Sequence, residues 1–332
     1  MFLEKIKSGQ SGVLLYGITP PKTSTLPERV AEIAQKTIDR LAVLDIDGLV
    51  VYDVQDESAR TTEERPFPFI NALDPLSFAS TYLGELRVPK IIYRPAGKFS
   101  PEELSYWLED LHQQKFYPVF VGVPAPDFPV KTSLSEAYQI WSRHQETSVI
   151  GAVTIPERHQ VLHDEDVRIL DKMSCGVSYF ISQCVFNLDY AKQIIDDLAH
   201  RCRQQAVHPP TLIFTLTACG SAKTLQFMEW LGIHVPLELQ EELKKSDDIL
   251  QKSVKVCLDI ASALTDYCTE HAIPFGFNIE SVAIRKAEIE ASIYMTNEIG
   301  QLLKEKGIRK PLATSRSETV DDTQVYSKIE SL

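Results

Sequence analysis

The chain has 332 residues, with 34 Lys+Arg against 46 Asp+Glu, which gives a formal charge of −12. That balance excludes a broad nucleic-acid or anionic-membrane surface, because binding phosphate groups needs clustered cations. With 44% apolar and 24% charged residues the chain is neither disordered nor fibrous, and its length suits two average domains or one α/β barrel.

In chain order, short β-branched or aromatic runs alternate with amphipathic stretches. The runs are VLLYGI (13–18), DGLVVYD (47–53), KIIYR (90–94), YPVFVGV (117–123), SVIGAVTI (148–155), VSYFIS (177–182), TLIFTLT (211–217) and PFGFNI (274–279). The helical pattern is clearest at 101–114. There Ser100 caps, Pro101 takes the first helical position, Glu103 closes a capping box, and Leu104, Trp107, Leu108 and Leu111 form one apolar stripe. The last helix, about 283–306, carries Ile289, Ile293 and Leu303 and stops at Gly307, with Pro311 beyond.

Eight strand signals, each followed by a helix, predict a (β/α)8 TIM barrel of one domain over residues 1–309. The stretch 233–262 holds more helical material than one crossover needs, so an extra helix is expected after the seventh strand. Residues 310–332 are polar and Ser/Thr-rich without a period, which reads as a flexible tail. The six cysteines lack the spacing of zinc sites or redox dithiols, so no metal is expected and the thiols read as reduced and mostly buried. No apolar run reaches the roughly 18 residues of a membrane helix, and the first residues lack a signal-peptide core. The expectation is a soluble cytoplasmic protein.

In such a barrel, chemistry lies on the loops that leave the carboxyl ends of the strands. Those ends read ITPPKTS (18–24), IPERH (155–159), ILDKMSCGVSYFISQCVF (169–186), LTACGSAKTLQFMEWLGIHVP (216–236) and FGFNIES (275–281). Taken in order over residues 11–305, they resemble the methylenetetrahydrofolate reductase family. The family pattern has Pro-Pro followed by a basic residue and Thr-Ser after strand one, Pro-Glu-x-His after strand five, and a glutamine at the end of strand six.

The resemblance implies an FAD-dependent oxidoreductase that takes hydride from NADH or NADPH to a methylene-folate or related one-carbon substrate, with a homo-oligomer as a possible assembly. It places Gln183 beside the flavin and the pterin, where an amide offers a donor and an acceptor side by side. It places Tyr52, His159, Arg168 and Lys172 on the cofactor side, and Lys223 and Phe227 at the folate pocket.

The departures concentrate at the reacting centre. The family's general-acid glutamate falls on Gly17, which has no proton to give, and the family's Arg-Gly-Asp after strand four falls on Val121-Gly122-Val123. Asp53, Glu157 and Glu280 are the carboxyls near enough to replace that acid, and Glu280 is the first choice. Asp53 heads DVQDESARTTEER, an acidic loop expected to stay solvated. These losses open an alternative: a catalytically altered barrel that binds folate, flavin or a partner. A pterin-binding methyltransferase barrel is a further reading, without a cobalamin or zinc signature in the chain.

Overall fold

A computed structural model describes residues 2–123, 128–144 and 148–310. The expected tail falls outside them from residue 311 onward.

Eight strands form one closed, all-parallel barrel in sequence order: β1 (Val13–Ile18), β2 (Gly48–Val51), β3 (Lys90–Pro95), β4 (Tyr117–Val121), β5 (Ile150–Thr154), β6 (Val177–Cys184), β7 (Thr211–Thr217) and β8 (Phe275–Glu280). Around them lie α2 (Pro27–Leu41), α3 (Pro75–Tyr82), α4 (Pro101–Gln113), α5 (Leu134–His144), α6 (Pro156–Leu162), α7 (Glu165–Ser174), α8 (Leu188–Gln205), α9 (Ala222–Trp230), α10 (Leu237–Lys245), α11 (Ile249–Glu270) and α12 (Lys286–Glu305), while α1 (Phe2–Ser8) precedes the first strand. The protein is therefore a (β/α)8 TIM barrel. Its strands lie within about two residues of the runs read from the sequence, because buried parallel strands leave nearly continuous apolar runs.

Two cores follow from the period-2 alternation of the strands. One side of each strand packs against the helices. The other fills the barrel with Val13, Leu15, Val50, Ile91, Tyr93, Val119, Tyr179, Ile181 and Ile213. Gly151 makes room there, since a side-chain carbon at that position would meet the Tyr179 ring. The α4 capping box forms as its sequence predicts, with the Ser100 hydroxyl accepting from the Glu103 N–H and the Glu103 carboxylate accepting from the Ser100 N–H.

Three features depart from the sequence reading. Helix α1 plugs the amino end of the barrel, where Phe2 and Ile6 are buried and the Phe2 ring lies 5.3 Å from those of both Tyr117 and Tyr179. The crossover after β7 holds three helices, α9 to α11, so it gains two helices rather than one. Left-handed Gly232 (φ +82°) and then Pro236 end one helix and start the next. The crossover after β5 likewise splits into α6 and α7, at His163 (φ +50°). All six cysteines are free and all but Cys175 are buried. Among the described residues no helix is long and apolar enough to cross a membrane.

Candidate functional site at the carboxyl end of the barrel

The mouth of the barrel is built by β8 and its neighbours. In the register of the sheet Glu280 lies opposite Gly17 on β1 and opposite Thr217 on β7. Asn278, one inward step below, is fully buried and donates its amide N–H groups to the Tyr52 hydroxyl (2.7 Å) and to Thr215 Oγ1 (3.3 Å). An amide nitrogen only donates, so Tyr52 oxygen accepts there and its own proton is directed to Glu280, with which it shares a hydrogen bond. The Cys184 thiol donates to Glu280 Oε1 at 3.3 Å. Burial pushes the Glu280 carboxyl up, opposed by these two donors.

Gly17 explains why Tyr52 fits. A side-chain carbon added at Gly17 would stand 2.9 Å from Tyr52 Cε2 and 3.2 Å from both the Tyr52 hydroxyl and Glu280 Cβ. The volume a residue-17 side chain would need is filled by the Tyr52 ring, and the nearest carboxyl comes from strand eight. Tyr52 also packs edge-on to Tyr93 at 4.7 Å.

Glu157 opens α6 beside this centre. Burial pushes its carboxyl up to about 7 against backbone N–H donors that include His234, and its Oε2 is buried with no partner. Asp53, at the end of β2, is half-buried and pushed up to about 6, again by burial, with Arg94 and Lys98 opposing and Asp74 reinforcing.

The loop after Asp53 keeps Asp56, Glu63 and Glu64 exposed, as its acidity suggested, and no residue of 53–65 is fully buried. Its other residues pack onto α9. Arg60 donates to the Trp230 carbonyl (2.8 Å), and the Trp230 indole donates to the Glu63 carbonyl (3.1 Å). Phe67 meets Phe227 edge-on at 5.2 Å, Phe227 stacks on Trp230, and the Arg65 guanidinium lies 5.0–5.5 Å from the rings of Phe69, Phe227 and Trp230. Lys223 sits 4.7 Å from the Phe67 ring. Lys223 and Phe227 thus come together, with partners the sequence did not name: Arg65, Phe67 and Trp230. The pattern R-x-F-x-F (65–69) within an acidic stretch was the available signal.

Gln183 lies on a β-bulge, where Ile181 pairs with Ile213 but Cys184 pairs with Thr215. Its amide nitrogen donates to the Leu231 carbonyl (3.1 Å), so it secures the α9–α10 turn while Cys184 reaches Glu280. The groups expected around a flavin lie to one side, among α6, α7 and α8. His159 is buried and its Nε2 meets Asp197 at 2.9 Å. Arg168 approaches buried Glu165 at 3.5 Å, a carboxylate also held by Arg158 (2.7 Å). Lys172 donates to the Val153 carbonyl (2.8 Å), and burial lowers its ammonium to about 8. Tyr52 alone of the four stands at the barrel axis.

An uncharacterized Clostridium thermocellum protein that binds two copies of 5-methyl-5,6,7,8-tetrahydrofolic acid shares 42% sequence identity, with a TM-score of 0.80, over 90% of this chain and 98% of that one. The chain belongs to the family of that protein. More distant barrels include 2,3-dimethylmalate lyase, at 12% identity and TM-score 0.44 over 100% of this chain and 91% of that one. Oxaloacetate acetylhydrolase matches at 12% identity and TM-score 0.44, over 98% and 92%. Likeness at that level carries no argument about chemistry. No protein-family model and no curated protein matches the sequence.

Proposed function

We propose that this protein binds a reduced folate of the 5-methyltetrahydrofolate type, with the pterin end at the carboxyl mouth of the barrel. The observation that carries this reading is full-length identity of 42% to a protein that binds two copies of that ligand. The site supports it in kind. Glu280, Glu157 and Asp53 offer carboxyl oxygens for a ring rich in N–H donors, and the Phe67, Phe227 and Trp230 faces with Arg65 suit a flat conjugated ligand carrying an anionic tail. Calorimetric titration with 5-methyltetrahydrofolate tests the reading. Saturable binding is expected, and no heat above dilution at millimolar ligand would refute it.

The reductase reading asks for more. It draws support from Glu280, whose Cβ stands 3.2 Å from where a side chain at Gly17 would begin, so a carboxyl remains next to the position of the family's acid. It also needs a flavin to carry hydride from NADH or NADPH. Two of the residues expected at that group are engaged within the protein: His159 is buried against Asp197, and Lys172 donates to a strand carbonyl. Folate binding without flavin chemistry therefore stands ahead. A purified protein with a flavin spectrum that NADH bleaches would reverse that order.

A further inference from the structure

Within the folate-binding reading, Glu280 has hydrogen-bonding capacity that its own surroundings leave unfilled. An ionised carboxylate offers about four acceptor positions. The protein fills two, with the Tyr52 hydroxyl and the Cys184 thiol. The residue is only half-buried at the carboxyl end of β8, so part of it meets solvent. The pyrimidine ring of a pterin presents two donors side by side, the 2-amino group and N3–H. Two vacant acceptors against two parallel donors is the geometry of a bidentate pair.

We infer that Glu280 is the anchor for the paired N–H donors of the pterin ring. This rests on the folate reading and gives it a specific contact.

Tyr52 from β2, Tyr93 from β3 and Cys184 from β6 lie around the carboxyl, with Glu157 acting on the same thiol. None of these is a cation, so no internal ion pair competes for its open acceptor positions. Asn278 supports the arrangement by fixing the Tyr52 hydroxyl, and its own Oδ1 is buried at the centre without a partner.

The test is calorimetric titration of the full chain with 5-methyltetrahydrofolate. Glu280→Gln is expected to weaken binding about 10- to 100-fold, because one end of the amide opposes a donor with a donor. An analogue lacking the 2-amino group is expected to bind the wild type at least tenfold more weakly. That arm needs no variant to fold. Equal affinity in Glu280→Gln, or equal binding of the analogue to the wild type, overturns the anchor while folate binding stands. Failure of the wild type to bind 5-methyltetrahydrofolate at all removes both.

Discussion

The two ends of the barrel are built to opposite rules. At the amino end, charges meet their complements. Asp47 accepts from Lys5 (2.8 Å) and Arg309 (2.5 Å), Asp45 accepts from Arg309 (3.0 Å) and Lys304 (3.0 Å), and α1 closes the opening with Phe2. At the carboxyl end, three carboxyls are pushed up by burial, and Glu157 Oε2 and Asn278 Oδ1 are buried without partners. Satisfied groups hold a fold together. Unsatisfied ones in a mouth are costly unless something fills them, and a donor-rich ring is a ligand that would.

Breaking the amino end should cost the most stability and leave binding alone. Asp47→Ala strips the acceptor from Lys5 and Arg309 together, with an expected loss of about 3–5 kcal/mol in denaturant unfolding. Affinity for 5-methyltetrahydrofolate in the fraction that stays folded should not change.

At the other end, removing a charge should stabilise. Glu157 is raised to about 7 in the fold from an ordinary 4.5. Its favourable, protonated contribution is complete below the unfolded value and is lost as pH climbs through about 7. Glu157→Gln should therefore gain up to about 3 kcal/mol over wild type at pH 8, shrinking to nothing below about pH 4.5. Unfolding curves at the two pH values check the sign; a gain that grows on acidification contradicts it.

Gly17→Glu is the change that would restore the family's acid on sequence grounds alone. The structure predicts the reverse, because the new side chain meets the Tyr52 ring 2.9 Å away. Overpacking should cost about 1–3 kcal/mol and weaken folate binding by displacing Tyr52. A gain in methylene-folate reduction would contradict that. The smallest effect is expected where the 53–73 loop packs on α9. Trp230→Phe keeps the ring but removes the indole donor to Glu63, a loss of about 1 kcal/mol. Greater protease access to the 53–73 loop should report it.

The strands were legible because each buried run is apolar nearly throughout, and α4 because its cap, box and stripe all agree. Helix α1 was not, since FLEKIKS has two apolar anchors, Phe2 and Ile6, whose value appears only against the barrel interior. The 53–73 loop was half legible: Asp56, Glu63 and Glu64 stay exposed as its acidity suggests, while its docking is decided by Arg60, Arg65 and Phe67 meeting a helix some 160 residues away. At the site, the resemblance led to Glu280 through the loss at Gly17. It could not show the bulge at 181–184 that turns Gln183 toward Leu231 and brings Cys184 to the carboxyl, because strand register depends on β7.

A crystal structure of the protein soaked with 5-methyltetrahydrofolate tests the central claim most directly. The account predicts a pterin ring at the carboxyl mouth, its 2-amino group and N3 within hydrogen-bond distance of the Glu280 carboxylate, above Tyr52 and Asn278. Ligand found only at the α1 end or on the helical exterior, with the mouth holding nothing but solvent, would contradict it.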